Sequence, residues 1–202
     1  MLLNPDARLR DFVQIKENVF TEELCAEIIQ EYRNDSWRIS STNKGYHKDR
    51  TNQELYISSK ELLNKNERRF ELDNIIFQHI EGLVADYANQ FEGHLRYEKD
   101  EGYTLLKYEK GEYYQEHCDD SPKVLFDNWG TPIPSTLTKR KITIIIQLND
   151  NFSEAGLSLF NGKLNIPVIK GSAVLFPSIF MFPHQALPVS EGTRYSLITW
   201  ID

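Results

Sequence analysis

Four residues in the second half of the chain have side chains and spacings suited to metal chemistry. His117 and Asp119 lie two positions apart, and His184 follows later in the chain. Two imidazoles and one carboxylate form a ligand set that binds a non-haem iron on one face and leaves adjacent positions open. Arg194 lies ten residues after the second histidine, where its guanidinium can bind a carboxylate. Together they predict a metal site beside a site for an acidic ligand.

The backbone pattern around these residues strengthens the prediction. In a strand, residues two apart point to the same side, so His117 and Asp119 can reach one metal ion while Cys118 points away. His184 follows Pro183, whose ring favours an extended backbone. Alone, a His-x-Asp triplet arises by chance, and a single histidine is more often a core residue. The spacing and strand placement of the whole set favour a metal site.

Two predicted strands, 141–148 and 194–201, each direct a polar residue into an otherwise apolar barrel. On the first strand Thr143 lies opposite a row of isoleucines, and on the second Arg194 shares its face with Trp200. A surface ion pair is the simpler explanation for Arg194 taken alone. Because an unpaired buried charge is costly, the two residues together predict a buried polar ligand.

The composition limits the classes of protein to which the chain can belong. With 202 residues, the chain can bury a real core, and we expect one domain over 1–202. A net charge of −7, with 23 basic residues, disfavours a nucleic-acid partner. No polybasic run or long apolar stretch points to a membrane partner. The only cysteines, Cys25 and Cys118, favour a reduced, cytoplasmic setting.

In the predicted order of elements, helices come first and strands follow. Thr21 caps one amphipathic helix that reaches Tyr32, and a second carries an apolar stripe from Leu72 to Phe91. From residue 101 onward, turn residues separate about eight short strands, which predicts a mostly β sandwich or jelly roll with helices bracing one sheet. These strands are expected at 103–108, 113–119, 141–148, 157–160, 166–169, 173–176, 184–189 and 194–201.

Two polar segments are predicted to be loops. The segment 43–54 is expected to be mobile. The segment 120–139 directly follows the proposed ligands and contains Phe126 and Trp129 as candidate anchors. A structureless segment of this length in a compact domain is usually a functional lid or disordered, and we favour a lid.

Two longer motifs connect these residues to a known family. Segment 108–119 reads YEKGEYYQEHCD and segment 171–178 reads GSAVLFPS, followed by His184, by Arg194 and Tyr195, and by Trp200. The chain resembles prolyl 4-hydroxylase-type 2-oxoglutarate oxygenases over roughly residues 103–201. The resemblance implies a double-stranded β-helix (jelly-roll) core over 101–202, a helical support region over 1–100, and iron at one mouth of the core.

The resemblance also implies roles for individual residues. Iron is expected to bind His117, Asp119 and His184. The distal carboxylate of 2-oxoglutarate is expected to bind Arg194, with help from a hydroxyl of Tyr108 or Thr143. The substrate is expected to lie beside Tyr114, Trp200 and a basic residue, Arg140 or Lys141. Two positions depart from the family pattern. Gln147 stands where some members have a cosubstrate-binding tyrosine, and the usual Gly-Gly-acid-Leu turn is replaced by AGLS at 155–158.

These roles imply an Fe(II)- and 2-oxoglutarate-dependent dioxygenase that hydroxylates a peptidyl proline and releases succinate and carbon dioxide. Ascorbate is a candidate further cofactor, and the expected partner is a peptide or protein that contains proline. The alternative is the same chemistry on a free amino acid, a lysyl side chain or a small metabolite. A non-catalytic jelly-roll binding module would not need the intact metal triad.

Overall fold

The computed structural model describes residues 6–40, 49–120 and 140–202, and within these ranges the chain is mostly β with helices on one side. The helices are a short 3-10 helix Leu9–Phe12, α1 (Glu22–Tyr32), α2 (Lys60–Leu63) and α3 (Glu67–Asn89). The strands before α3 are β1 (Gln14–Lys16), β2 (Arg38–Ile39) and β3 (Gln53–Tyr56). Those after it are β4 (Thr104–Tyr108), β5 (Tyr114–His117), β6 (Ile142–Gln147), β7 (Phe152–Ser153), β8 (Gly156–Leu159), β9 (Leu164–Ile166), β10 (Ala173–Pro177), β11 (His184–Leu187), β12 (Glu191–Gly192) and β13 (Arg194–Ile201).

Two antiparallel sheets face each other and form the jelly roll. The larger sheet has the order β1-β10-β6-β13-β4-β3-β2, and the smaller sheet has the order β5-β11-β8-β9. A pair of short strands, β7 and β12, lies apart from both. The mostly β jelly-roll fold class predicted from the sequence is therefore confirmed.

Side chains that alternate along the central strands divide the core into two layers. On β6, Ile142, Ile144 and Ile146 pack in the layer between the larger sheet and the helices. Ile145 faces the other way and packs in the layer between the two sheets. The predicted alternation of this strand is confirmed, and it directs Thr143 towards the inside of the jelly roll.

The two long helices begin at residues whose side chains cap them. The hydroxyl of Thr21 accepts a hydrogen bond from the Leu24 amide at 3.2 Å, as the sequence predicts for α1. The side chain of Asn66 accepts one from the Arg69 amide at 2.8 Å and starts α3. Both helices bury their apolar faces against the larger sheet. Among the residues that the structure describes, no helix is long and apolar enough to cross a membrane.

Three predictions about elements need comment. The strand predicted at 166–169 is wrong, because β9 ends at Ile166 and the next residue, Pro167, has no amide proton to continue the ladder. The loop predicted at 43–54 is wrong at its end, since Gln53 and Glu54 belong to β3; residues 43–48 lie outside the described part. The lid predicted at 120–139 lies outside the described residues beyond Asp120.

The first hundred residues supply more than helical support. Strands β1, β2 and β3 extend the larger sheet at both of its edges. The segment that leads into β3 also contacts the smaller sheet, because Arg50 forms an isolated bridge with Tyr114 and the Gln115 amide donates to the Asp49 carbonyl at 2.8 Å. This segment therefore joins the two sheets on one side of the cavity between them.

Candidate active site

Three of the predicted ligands meet at one end of the jelly roll. His117 ends β5 and His184 begins β11, and the two are direct partners across these paired strands. Asp119 lies two residues beyond β5 and is buried. All three ligand atoms lie within 4.8 Å of one another. Asp119 Oδ1 lies 3.5 Å from His117 Nε2, and its Oδ2 lies 3.4 Å from His184 Nε2.

The far side of each imidazole is held by the backbone. His117 Nδ1 lies 2.8 Å from the Gln115 carbonyl, and His184 Nδ1 lies 3.2 Å from the Phe182 carbonyl. Because a carbonyl oxygen can only accept, each Nδ1 donates to its carbonyl, and Nε2 is the nitrogen whose lone pair can bind a metal. Both lone pairs therefore face Asp119, which is the arrangement that a metal ion requires.

Neighbouring groups keep the site in the protonation states needed by a metal. Burial opposes ionisation of Asp119, but the two adjacent imidazoles outweigh it and hold the pKa of this carboxyl below its usual range. Burial also lowers the pKa of His184 to about 4, against the opposing effect of the Asp119 carboxylate. The site therefore offers a carboxylate and a neutral imidazole at neutral pH.

A chain of hydroxyl groups supports the carboxylate from the larger sheet. Thr143, on β6, donates to Asp119 Oδ2 at 2.8 Å and lies 2.9 Å from the hydroxyl of Ser178. Ser178 follows β10 and is itself buried. Thr143 thus contacts the metal site, although the family pattern offered it as one of two hydroxyls for the cosubstrate.

The guanidinium of Arg194 is buried in the same interior, with only 3% of the residue exposed. Its Nε donates to Gln147 Oε1 at 3.0 Å, and one terminal nitrogen donates to the Gly156 carbonyl at 3.1 Å. The Tyr108 ring lies 5.4 Å from the guanidinium carbon. Arg194 forms no ion pair with a carboxylate among the described residues. A buried cation without a counter-ion indicates a site for an anionic ligand.

Two residues with hydroxyl groups, Tyr108 and Ser196, line the same cavity as Arg194. Burial raises the pKa of Tyr108, so the phenol stays protonated and can donate. Ser196, two residues after Arg194 on the same face of β13, has a buried hydroxyl with no hydrogen-bond partner in the described structure. The sequence placed Ser196 on this face but assigned it no role.

A cavity of about 850 Å³ connects the metal triad, Arg194 and the residues predicted to contact a substrate. Tyr114 stacks on His117, with ring centroids 3.5 Å apart and planes 19° apart. Arg140 lies over the Trp200 ring at 3.6 Å and forms a bidentate ion pair with Glu101, with contacts of 2.6 and 2.7 Å. Apart from Thr143 and the alternative basic residue Lys141, every predicted site residue lies on the wall of one cavity.

Several residues that line the cavity or support its walls were not identified from the sequence. Arg50 lies 4.6 Å from the centre of the Tyr114 ring and pairs with Glu54 at 3.0 Å. Glu101 fixes Arg140, and Ser178 supports Thr143. Apart from the pair of Arg50 and Glu54, these contacts join segments that are far apart in the chain, and the sequence contains no local signal for them. The polar character of the segment 43–54 indicated a loop instead.

Comparisons with known proteins agree with this geometry. Residues 103–202 match the profile of the 2OG-Fe(II) oxygenase superfamily. A PKHD-type hydroxylase from Idiomarina loihiensis is 29% identical over 99 residues, which cover 48% of this chain and 40% of that protein. The matched region thus spans less than half of the relative. Residues 103–202 therefore belong to the 2OG-Fe(II) oxygenase superfamily, as their motifs predict.

Solved structures share the fold across nearly the whole chain. A prolyl hydroxylase from Trichoplax adhaerens, in complex with a peptide fragment of the hypoxia inducible factor oxygen degradation domain, has a TM-score of 0.72 and 18% identity; the alignment covers 94% of this chain and 83% of that one. A viral collagen prolyl hydroxylase from Paramecium bursaria Chlorella virus-1, in complex with 2OG, has a TM-score of 0.64 and 17% identity, with 94% and 95% covered. A Pseudomonas putida prolyl 4-hydroxylase has a TM-score of 0.60 and 18% identity, and the alignment covers 94% of this chain and 91% of that one. The fold is therefore prolyl 4-hydroxylase-like.

The residues present fit the groups that this family uses. The donor set of two imidazole nitrogens and a carboxylate suits ferrous iron. Arg194 supplies a buried cation whose counter-ion the described residues do not provide, which suits an acidic cosubstrate. The predicted combination of Fe(II) and 2-oxoglutarate is thus confirmed at the level of the family.

Proposed function

We propose that this chain is an Fe(II)- and 2-oxoglutarate-dependent dioxygenase that hydroxylates a proline within a peptide. The observation that carries the proposal is the buried, uncompensated guanidinium of Arg194 in the cavity that also contains His117, Asp119 and His184. A structural metal site would not need such a cation. A cation beside an open metal site matches a ligand that has one chelating end and one anionic end.

The iron, when bound with 2-oxoglutarate, supplies an oxidation in which one oxygen atom of O₂ enters a substrate C–H bond and the other enters succinate, with release of carbon dioxide. His117, Asp119 and His184 would hold the iron on one face. Their backbone and hydroxyl contacts fix the ligand atoms before the metal binds, so binding requires little reorganisation.

Arg194 would bind the distal carboxylate of 2-oxoglutarate. Of the two hydroxyls considered for assistance, Tyr108 is favoured, because Thr143 already donates to Asp119. The unpartnered hydroxyl of Ser196 is a second donor on the same face. Both hydroxyls would donate to the carboxylate and replace water that it loses on entering the cavity.

The substrate would enter along the wall formed by Tyr114, Trp200 and Arg140. Two flat rings suit a proline ring, and the Arg140 guanidinium, fixed by Glu101, can donate to a peptide carbonyl. The names of the three structural relatives support this substrate class, since each is a prolyl hydroxylase and one holds a peptide. The same chemistry on a free amino acid, a lysyl side chain or a small metabolite is the competing proposal.

A reaction with a library of proline-containing peptides tests the proposal. We expect decarboxylation of 2-oxoglutarate that depends on added Fe(II), and peptides that gain the mass of one oxygen atom on proline. Arg194→Ala should weaken 2-oxoglutarate binding by roughly thirtyfold to several-thousandfold, since loss of one partner of a buried charge pair costs about 2–5 kcal/mol. Arg194→Lys, which keeps the charge, is the matched control and should retain more affinity.

Two further variants separate the peptide from the cosubstrate. Tyr114→Ala and Trp200→Ala each remove one of the two flat rings proposed to contact the proline. Both should reduce peptide hydroxylation more than 2-oxoglutarate binding. Robust oxidation of a free amino acid, with proline peptides at background, would move the assignment to the competing substrate class. Absence of iron-dependent decarboxylation with every substrate would exclude the dioxygenase itself.

A further inference from the structure

Gln147 contacts the guanidinium of Arg194 from the end of β6. It is buried, and its side-chain oxygen accepts from Arg194 Nε at 3.0 Å. Its side-chain nitrogen donates to the carbonyls of Asn149 at 2.8 Å and Tyr195 at 3.0 Å. All of these partners lie in β6, β13 or the residues that flank them, so the amide is fixed by the larger sheet itself.

The hydrogen bonds determine which way the amide of Gln147 faces. Both carbonyls, of Asn149 and Tyr195, can only accept, and Arg194 Nε–H can only donate. Rotation of the amide by half a turn would place its NH₂ group against Nε–H and its oxygen against two carbonyl oxygens. The observed orientation satisfies all three contacts, and the opposite one satisfies none. Gln147 therefore presents a fixed acceptor to Arg194.

The acceptors around Arg194 hold its position without cancelling its charge. Gln147 Oε1 and the Gly156 carbonyl are both neutral, and they occupy Nε and one terminal nitrogen. The second terminal nitrogen, Nη2, makes no hydrogen bond within the described structure. The guanidinium is thus oriented by two dipoles, keeps its full charge and retains free N–H groups for a ligand.

We propose that Gln147 is a positioning residue that makes the cavity selective for a dicarboxylate 2-oxo acid over a monocarboxylate one. It acts through Arg194, by fixing the guanidinium while leaving its charge available. This inference rests on the proposed function, because it assumes that Arg194 binds the distal carboxylate. A residue of the same size with a negative charge would remove the selectivity, since it would become the counter-ion of Arg194.

Two substitutions of Gln147 separate its effect on the orientation of Arg194 from its effect on the charge around Arg194. Gln147→Met keeps a side chain of similar length but removes the acceptor, so Arg194 loses one of its two fixed contacts. Gln147→Glu keeps the shape and adds a carboxylate that pairs with Arg194 and competes with the ligand. The matched controls are Gln78→Met and Gln78→Glu, which make the same changes at an exposed position of α3.

The measurement is calorimetric binding to the Mn(II)-loaded full chain, with 2-oxoglutarate and with 2-oxopentanoate. The second ligand keeps the keto acid and the chain length but lacks the distal carboxylate, so the ratio of the two dissociation constants reports selectivity. We expect Gln147→Met to weaken 2-oxoglutarate binding about tenfold, the effect of losing a hydrogen bond to a charged group. Gln147→Glu should weaken it by a hundredfold or more and bring the ratio towards one. Binding of 2-oxopentanoate should stay unchanged in both.

The outcomes distinguish this inference from the proposed function. If the parent protein binds the two ligands equally well, the assignment of Arg194 as the carboxylate site fails. If the parent prefers 2-oxoglutarate and both Gln147 variants keep its ratio, the positioning role of Gln147 is overturned and the proposed function stands. Equal weakening of both ligands would also overturn it, because that result signals a structural defect. Should Gln147→Glu fail to fold, the ratio measured for Gln147→Met decides alone.

Discussion

The surroundings of Asp119 show how hydrogen bonds fix the single ligand residues of this site. Its carboxylate lies between two imidazoles whose Nδ1 atoms donate hydrogen bonds to backbone carbonyls, and it accepts a third contact from Thr143. Each of the three ligand side chains therefore has a polar partner besides the other two ligands. Such partners fix the orientation of ligands, and their removal commonly weakens metal affinity without removing a ligand.

Thr143→Val tests this support at the scale of one hydroxyl. The substitution keeps the branched shape and removes the hydrogen bond to Asp119 Oδ2. We expect the affinity for Mn(II) or Fe(II) to fall by about 10- to 100-fold, the usual effect of losing such a partner. Equilibrium metal titration followed by calorimetry measures the change.

Thr143→Ser is the control, since it keeps the hydroxyl and should bind metal close to the parent level. The ratio of 2-oxoglutarate to 2-oxopentanoate affinity should remain unchanged in Thr143→Val. A fall in that ratio with metal affinity intact would instead assign the Thr143 hydroxyl to the cosubstrate, the role left open by the family pattern.

At the scale of elements, the sequence predicts those parts of the site that follow a strand period. Alternation along β6 and β13 placed Thr143 and Arg194 inside the barrel, and the two-residue spacing of His117 and Asp119 placed both on one side. The strands β1 and β2 were missed because they have 3 and 2 residues, too few to show a period. The strand β3 was missed because the polar residues at its start were predicted to belong to a loop. Contacts such as Arg140 with Glu101, 39 positions apart, depend on tertiary packing alone.

Helix α3 provides an element-scale prediction about stability. Leu72 is fully buried against the larger sheet, whereas Phe77, on the same helix, is 47% exposed. Leu72→Ala should lower the free energy of unfolding by about 2–5 kcal/mol, through lost apolar burial and the cavity that remains. Phe77→Ala should change it by no more than about 0.5 kcal/mol. Denaturant unfolding monitored by circular dichroism measures both, and equal effects would contradict the packing of α3 on the sheet.

At the scale of the whole molecule, the region that matches the family is not a self-contained structure. Residues 103–202 include the metal triad and Arg194, but one face of their larger sheet is covered by helices from the first hundred residues. Strands β1 and β3 also pair with β10 and β4 of this region. The sheet in the isolated region would therefore expose a row of isoleucines and two unpaired edges.

This dependence predicts the behaviour of a fragment of residues 103–202. Exposed edges and an exposed apolar sheet face favour aggregation over a folded monomer. We expect the fragment to lack the near-ultraviolet circular dichroism of the full chain and to bind Mn(II) at least tenfold more weakly, because β5 and β11 would no longer hold the ligands in place. Adding the separate segment 1–102 should restore part of the signal if the two halves reassociate. A fragment that folds alone and binds Mn(II) as tightly as the full chain would show that the metal site needs only its own two sheets. The first hundred residues would then serve only the cavity wall around Arg50 and Glu54.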